Sequence, residues 1–423
     1  MVRFRALMTR AATVAPPRAW ALLGVVYLAA MLISSVRWHF GPDSRFYLAW
    51  AYRIGGLSEV EAGERTYVFL NGFDWFADYC WYACDTSEPG LTYSWLFRGE
   101  EGGLFRQRLL YPALSAPFVR LFGPAGMLVV PAIAFTAYVI MVVVLANRMV
   151  GRSWAVPAGI AAILPISIAK FSLYAYTETL ATALLLGCVL LLPLRPTGAS
   201  DPAGGSDPTR VSRRHIIGFA VLLVLFAFTR QFHLALVLGV VVTWLGVALR
   251  QRRLRNPWGP FAAVSVAAAA VIAVVQTLMS PGYSLLTPFL KISGAETVGG
   301  IPKVLPSVVW RIVSGEIEVA GQDFGLVLVA MLGAAGIVAA RRTEFAWLTV
   351  GILVGTFLLE MITALPSQNR YWALSVPLLA IHATAFVARV LGRDDGRPAA
   401  GPRSAGERPG HAGGEPAVEP ASG

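Results

Sequence analysis

The sequence is poor in charge. Only 14% of its 423 residues are Asp, Glu, Lys or Arg, against about 25% in a soluble domain, and this excludes a soluble enzyme. Lysine is almost missing: Lys170, Lys291 and Lys303 are the only three among 35 basic residues. With abundant Ala and Gly, that bias points to a GC-rich genome and a bacterial source. Cysteine is scarce too. Cys188 falls inside an apolar run, where a packed thiol is expected, and Cys80 and Cys84 stand four apart in "DYCWYACD". No second pair and no nearby His follows, so a zinc site is not expected. On an oxidising outer side Cys80 and Cys84 are a disulfide candidate. Such a bridge closes so short a loop that it shapes local geometry more than stability. The N-terminal region carries Arg3, Arg5, Arg10 and Arg18, but no small-residue cleavage site follows its apolar stretch. The expectation is an uncleaved first helix. No internal repeat is evident.

Apolar sequence is what the chain has in quantity. It is 56% hydrophobic with mean hydropathy +0.62, arranged in runs near the ~20 residues that cross hydrocarbon. The predicted fold class is an all-α polytopic membrane protein: about ten transmembrane helices, a half-span, and a large first extracytoplasmic loop with amphipathic helices. Spans are expected at 19–37, 124–147, 154–171, 174–194, 216–229, 231–249, 259–279, 323–340, 344–364 and 371–391, with the half-span at 109–122. Residues 216–249 read as two short helices meeting at "TRQFH".

The net charge of +11 is a topology signal rather than a nucleic-acid surface. Arg148 and Arg152, Arg210, Arg213 and Arg214, Arg250 to Arg255, and Arg341 and Arg342 occupy alternate short connections. The positive-inside rule makes these cytoplasmic, together with both termini, in a bacterial cell membrane. The expected organisation is a cytoplasmic N-terminus (1–18), a membrane domain (19–391), outer loops at about 38–110 and 280–322, a cytoplasmic linker (195–215) and a disordered tail (392–423).

The first outer loop holds ten acids and eighteen aromatics. Aromatics there serve as interfacial anchors or as platforms for sugar rings. Asp43, in "FGPDSRFYLAW", precedes a stretch whose Tyr47, Trp50 and Ile54 share one helical face. Asp43 therefore reads either as an N-cap or as a catalytic base. Asp74 and Asp78 are possible partners for it. Arg108 and Tyr111 sit where the loop re-enters, in "RLLYP". Glu178 lies inside an apolar run, where an ionisable side chain is a functional candidate, its simplest role being a pair with Lys170 or Arg230. Glu360 has the same status deeper in a span. Arg230 and His233 fall at the outer hinge, and Arg370 and Tyr371 at the outer end of the last pair of spans. Arg108, Arg230 and Arg370 thus converge on the outer face, against the charge bias, as a candidate anion site.

The order of these elements resembles the GT-C superfamily of integral-membrane glycosyltransferases. "GPDSRFYLAWA" is similar to that family's acid soon after the first helix, and "RLLYP" to its Arg-x-x-Tyr-Pro element. "YTETL" at 176–180 resembles the Ser/Tyr-x-Glu elements of its mannosyltransferases. The Thr229–Arg230 pair resembles a Thr-Arg-Pro hinge with Gln231 in place of Pro, and "NRYW" at 369–372 a late Arg-Tyr segment. The resemblance implies transfer from a polyprenyl-phosphate sugar to a glycan, lipid or protein acceptor at the outer face. It implies Asp43 and Glu178 as catalytic residues, and Arg108, Arg230 and Arg370 on the donor phosphate. Tyr47, Tyr111, His233 and Tyr371 are then expected to touch substrate. No second acid stands beside Asp43, as it does in some branches, so no cofactor is expected, with a divalent metal left open. The membrane is the expected partner surface and nucleic acid is not. A transporter or lipid flippase, and a scaffold of envelope assembly, are the rival readings.

Overall fold

A helix satisfies its own backbone, which is one of two ways a chain can cross lipid. The Leu-, Val- and Ala-rich runs of this chain take that way. The computed structural model describes residues 16–37, 40–73, 96–97, 99–195, 212–281, 286–295, 297–364, 366–367 and 370–392. Among the described residues every regular element is helical, and the chain is an all-α polytopic membrane protein with several long apolar helices. Cys80 and Cys84, Asp74 and Asp78, the body of the linker, and the tail lie outside the described residues.

In chain order the helices are α1 (Pro17–Arg37), α2 (Ser44–Ile54), α3 (Glu59–Leu70), α4 (Gly99–Arg106), α5 (Leu110–Phe122), α6 (Val129–Met149), α7 (Arg152–Ile163), α8 (Ile166–Ala169) and α9 (Glu178–Leu191). They continue with α10 (Arg213–Ala227), α11 (His233–Gln251), α12 (Gly259–Met279), α13 (Leu286–Ser293), α14 (Ile301–Gly321), α15 (Phe324–Ala339), α16 (Glu344–Thr363) and α17 (Val376–Val390).

The expectation of about ten spans is corrected. Among the described residues, five helical runs are long and apolar enough to cross a membrane: Pro17–Ser35, Leu110–Met149, His233–Gln251, Gly259–Met279 and Glu344–Thr363. The number rises to seven if two bent pairs each count as one span, α7 with α8 (78°) and α14 with α15 (114°). Hydropathy registers apolar residues, not whether a helix continues through them. Pro165 stops the expected span at 154–171, leaving 12 residues in α7, about 18 Å of rise. Tyr174 is extended, so the run at 174–194 keeps only the 14 residues of α9. Helices α10 and α17 have 15 each. The expected half-span is instead the first part of the continuous run Leu110–Met149.

Two devices hold the short pieces together. Asp323 caps α15 by accepting the Leu326 N–H (3.0 Å), and its other oxygen accepts the Ser167 N–H (2.8 Å), so one carboxylate ties both bends. Small residues let α11 and α16 approach closely. A methyl on Gly351 would stand 2.6 Å from Gly239 Cα, and one on Gly355 2.6 Å from Ala235 Cα. That is small-residue packing of the kind membrane helices use in place of hydrophobic drive.

The molecule has two chemically different ends. At one, Arg148 donates to the Leu190, Leu192 and Leu194 carbonyls, Arg250 to the Arg342 carbonyl and Arg389 to the Ala339 carbonyl. Glu178, His233 and Glu360 lie at the opposite ends of α9, α11 and α16.

Candidate functional site

The site begins with the turn that holds Asp43. Ser44 Oγ accepts the Gly41 N–H (3.1 Å) and donates to the Ala175 carbonyl (3.0 Å), pinning "GPDS" to Tyr174–Thr177. Gly41 has no Cβ, and the hydroxyls of Tyr174 and Tyr176 occupy the space one would need. This grip is why Tyr174–Thr177 leaves the helix. Asp43 occupies the N-cap position of α2, yet its side chain makes no capping hydrogen bond. The carboxylate turns instead to Arg370, with Oδ2 2.6 Å from Nη2. The amphipathic face is also shifted: Tyr47 is buried and Ile54 is exposed.

From Arg370 the charges continue inward. Its Nε lies 2.6 Å from Glu178 Oε1, and Arg230 Nη1 lies 2.5 Å from the same oxygen. Asp43, Arg370, Glu178 and Arg230 thus form one chain of ion pairs, drawn from the turn before α2, the segment after α16, the start of α9 and the α10–α11 break. The chain is graded. The Asp43 and Arg370 side chains each keep 23% exposure, whereas Arg230 and Glu178 keep 5% and 1%. Arg108 stands beside it, buried, with Nη2 2.9 Å from Gln231 Oε1 and its guanidinium over the Phe105 ring. The Leu110 N–H to Phe228 carbonyl bond (3.1 Å) brings those two breaks together.

Electrostatics follow from this arrangement. Burial pushes the Asp43 carboxyl up, but Arg370, Arg230 and Arg108 together outweigh it and hold it below the ordinary aspartate range. In this state Asp43 is an ion-pair partner and a weak base. Three guanidiniums face two carboxylates, so the cluster carries one excess positive charge. Rings support the cations: Tyr176 under Arg370 (4.3 Å), Phe232 and Tyr371 under Arg230 (4.6 and 5.0 Å). Such contacts strengthen when desolvated.

The residues singled out in the sequence are thus partly gathered. Asp43, Glu178, Arg230 and Arg370 meet, with Arg108 and Tyr371 adjoining. Tyr47 is buried one step away, 3.4 Å from Thr177 Oγ1. The Tyr111 hydroxyl is committed to the Met127 carbonyl (2.9 Å), and its ring packs edge-on against Tyr47. His233 is buried with Nδ1 3.4 Å from the Arg230 carbonyl. Lys170 is half-buried over the Phe171 ring, and Glu178 pairs with Arg230 and Arg370. Among the described residues no group of three or more His, Cys, Asp or Glu is placed to hold a metal. Sequence reasoning gave no site role to Tyr176 or Gln231, although both stood in quoted elements, and passed over Ser367. Gln231 had a visible signal, since it replaces the proline of the resembled hinge.

No family model, curated protein or solved structure matches the chain. Nothing in those comparisons ties it to the GT-C superfamily.

Proposed function

We propose that the protein is a membrane glycosyltransferase that moves a sugar from a polyprenyl-phosphate donor to an acceptor at the extracytoplasmic face of a bacterial cell membrane. The observation that carries this reading is the continuous cluster Asp43–Arg370–Glu178–Arg230, with Arg108 beside it and one positive charge in excess. That excess suits a phosphate monoester leaving group. In the reaction the acceptor oxygen bonds to the anomeric carbon as the bond from that carbon to the phosphate oxygen breaks. The phosphate keeps the electron pair and remains on the lipid. The acceptor proton passes to Asp43, on the face opposite the phosphate. The donor phosphate competes with Asp43 for Arg370. Losing that partner raises the basicity of Asp43 when the donor is in place. Glu178 holds Arg230 and Arg370 at the spacing the phosphate needs.

The test is transfer from labelled polyprenyl-phosphate sugars by the purified full chain in lipid. Asp43→Asn keeps the size of the side chain and removes the base, so transfer should fall at least about a hundredfold while the protein remains monodisperse. Near-normal transfer by the variant sinks the assignment.

A second reading has its own observation. The bent pairs α7/α8 and α14/α15 resemble the discontinuous helices of transporters, a feature the sequence did not announce. Movement of substrate into vesicles, without any transfer of label, favours that reading.

A further inference from the structure

Arg370 lies in the chain between α16 and α17 and bridges Asp43 and Glu178. The end of α16 is turned by Ala364, a non-glycine residue at φ 54°, a left-handed conformation that L-residues rarely adopt. The chain beyond that turn needs an anchor, and Ser367 provides one. The Ser367 N–H donates to Glu360 Oε1 (2.8 Å), and Ser367 Oγ donates to Glu316 Oε1 (3.1 Å). Ser367 then passes the constraint on: its carbonyl accepts the Arg370 N–H (3.2 Å) and its Oγ accepts the Tyr371 N–H (3.2 Å).

We propose that Glu316 and Glu360 are positioning residues which, acting through Ser367, set the place of Arg370 between Asp43 and Glu178. Both carboxyls are buried, Glu316 at 7% and Glu360 at 0% exposure, and both accept a hydrogen bond from Ser367. The two come from different elements, α14 and α16. Gly315 allows their meeting: a methyl there would stand 2.6 Å from Pro366 Cγ. Phe289, Val308, Ile312 and Met361 pack around the same junction. The site thus reaches into α14, a helix that contributes nothing to the ion-pair chain itself.

The consequence for transfer rests on the reading of Arg370 as a phosphate ligand, but the positioning is measured without it. Hydrogen exchange is followed on the full chain in lipid nanodiscs, with no donor present, at the peptide covering Ser367 to Tyr371. Glu316→Ala should raise exchange there by about tenfold or more while α6 and α11 are unchanged. Glu316→Gln should stay within about twofold of the parent, because the amide oxygen still accepts from Ser367 Oγ. If Glu316→Ala does not assemble, Ser367→Ala removes only the hydroxyl and should show the same local loss. Unchanged exchange in the alanine variants, or Glu316→Gln as loose as Glu316→Ala, overturns the proposal. Loosening of this peptide in a protein that never transfers sugar leaves the positioning intact and discards the proposed activity alone. Where transfer is seen, Glu316→Ala should raise the KM for donor and Glu316→Gln should restore it.

Discussion

Glu178 is the residue on which the cluster depends, because one of its oxygens serves two guanidiniums. Replacing it by Leu leaves Arg230 charged in surroundings where it is 4% exposed. Breaking a buried pair in this way costs about 3–5 kcal/mol, whereas replacing both partners by apolar groups is often close to neutral. Glu178→Leu should therefore lower unfolding stability in mixed micelles by that order, and Glu178→Leu with Arg230→Met should recover much of the loss. A double variant no better than the single would mean that Arg230 is not the uncompensated charge. This scale was also the most legible in the sequence. Asp43, Glu178, Arg230 and Arg370 stood out because an ionisable residue in or beside an apolar run is costly. Ser367, Gln231 and Tyr176 are neutral and raise no such flag. Glu316 lies in an amphipathic helix, where an acid ordinarily costs nothing and draws no notice.

Elements bring those residues together, and the α11–α16 contact does most to set the distance across the site. Helix α11 begins at His233, three residues after Arg230, and α16 ends seven residues before Arg370. Gly351 and Gly355 on one helix face Gly239 and Ala235 on the other with no room for a side chain. Gly355→Leu should wedge the helices apart near the site, costing about 1–3 kcal/mol by overpacking. Transfer should fall with it, while the α15–α17 contact persists in a cysteine cross-linking assay. Parent-like stability and transfer in Gly355→Leu would show that the approach is not rigid. The spacing "GILVG" was present in the sequence, but an apolar run offers many such spacings, and only a partner helix gives one meaning. Element lengths were misjudged for a related reason. A tertiary grip, such as Tyr174 and Tyr176 on Gly41, and a proline such as Pro165 interrupt a helix without lowering its hydropathy.

On the scale of the whole molecule the two ends make opposite use of arginine. At one end Arg148 and Arg389 donate to the Leu190 and Ala339 carbonyls at the C-terminal ends of α9 and α15, where helix dipoles favour cations, and Arg250 donates to the Arg342 carbonyl in the turn after α15. At the other, Arg230 and Arg370 bind carboxylates. Charge bias across a bilayer follows the first kind, so the arginine-rich end is expected in the cytoplasm and the ion-pair chain outside. The orientation is measurable in intact cells with a membrane-impermeant maleimide. In a Cys80→Ser, Cys84→Ser background, with Cys188 buried, Ser58→Cys places a thiol at the exposed start of α3 on the site's side, and Arg341→Cys places one at the other end. Ser58→Cys should label from outside, and Arg341→Cys only after the membrane is opened. The reverse pattern would put the cluster in the cytoplasm. Lipid-linked sugars held on the outer leaflet would then be out of its reach, and the transferase reading would fail at the scale of the membrane even with every residue of the site in place.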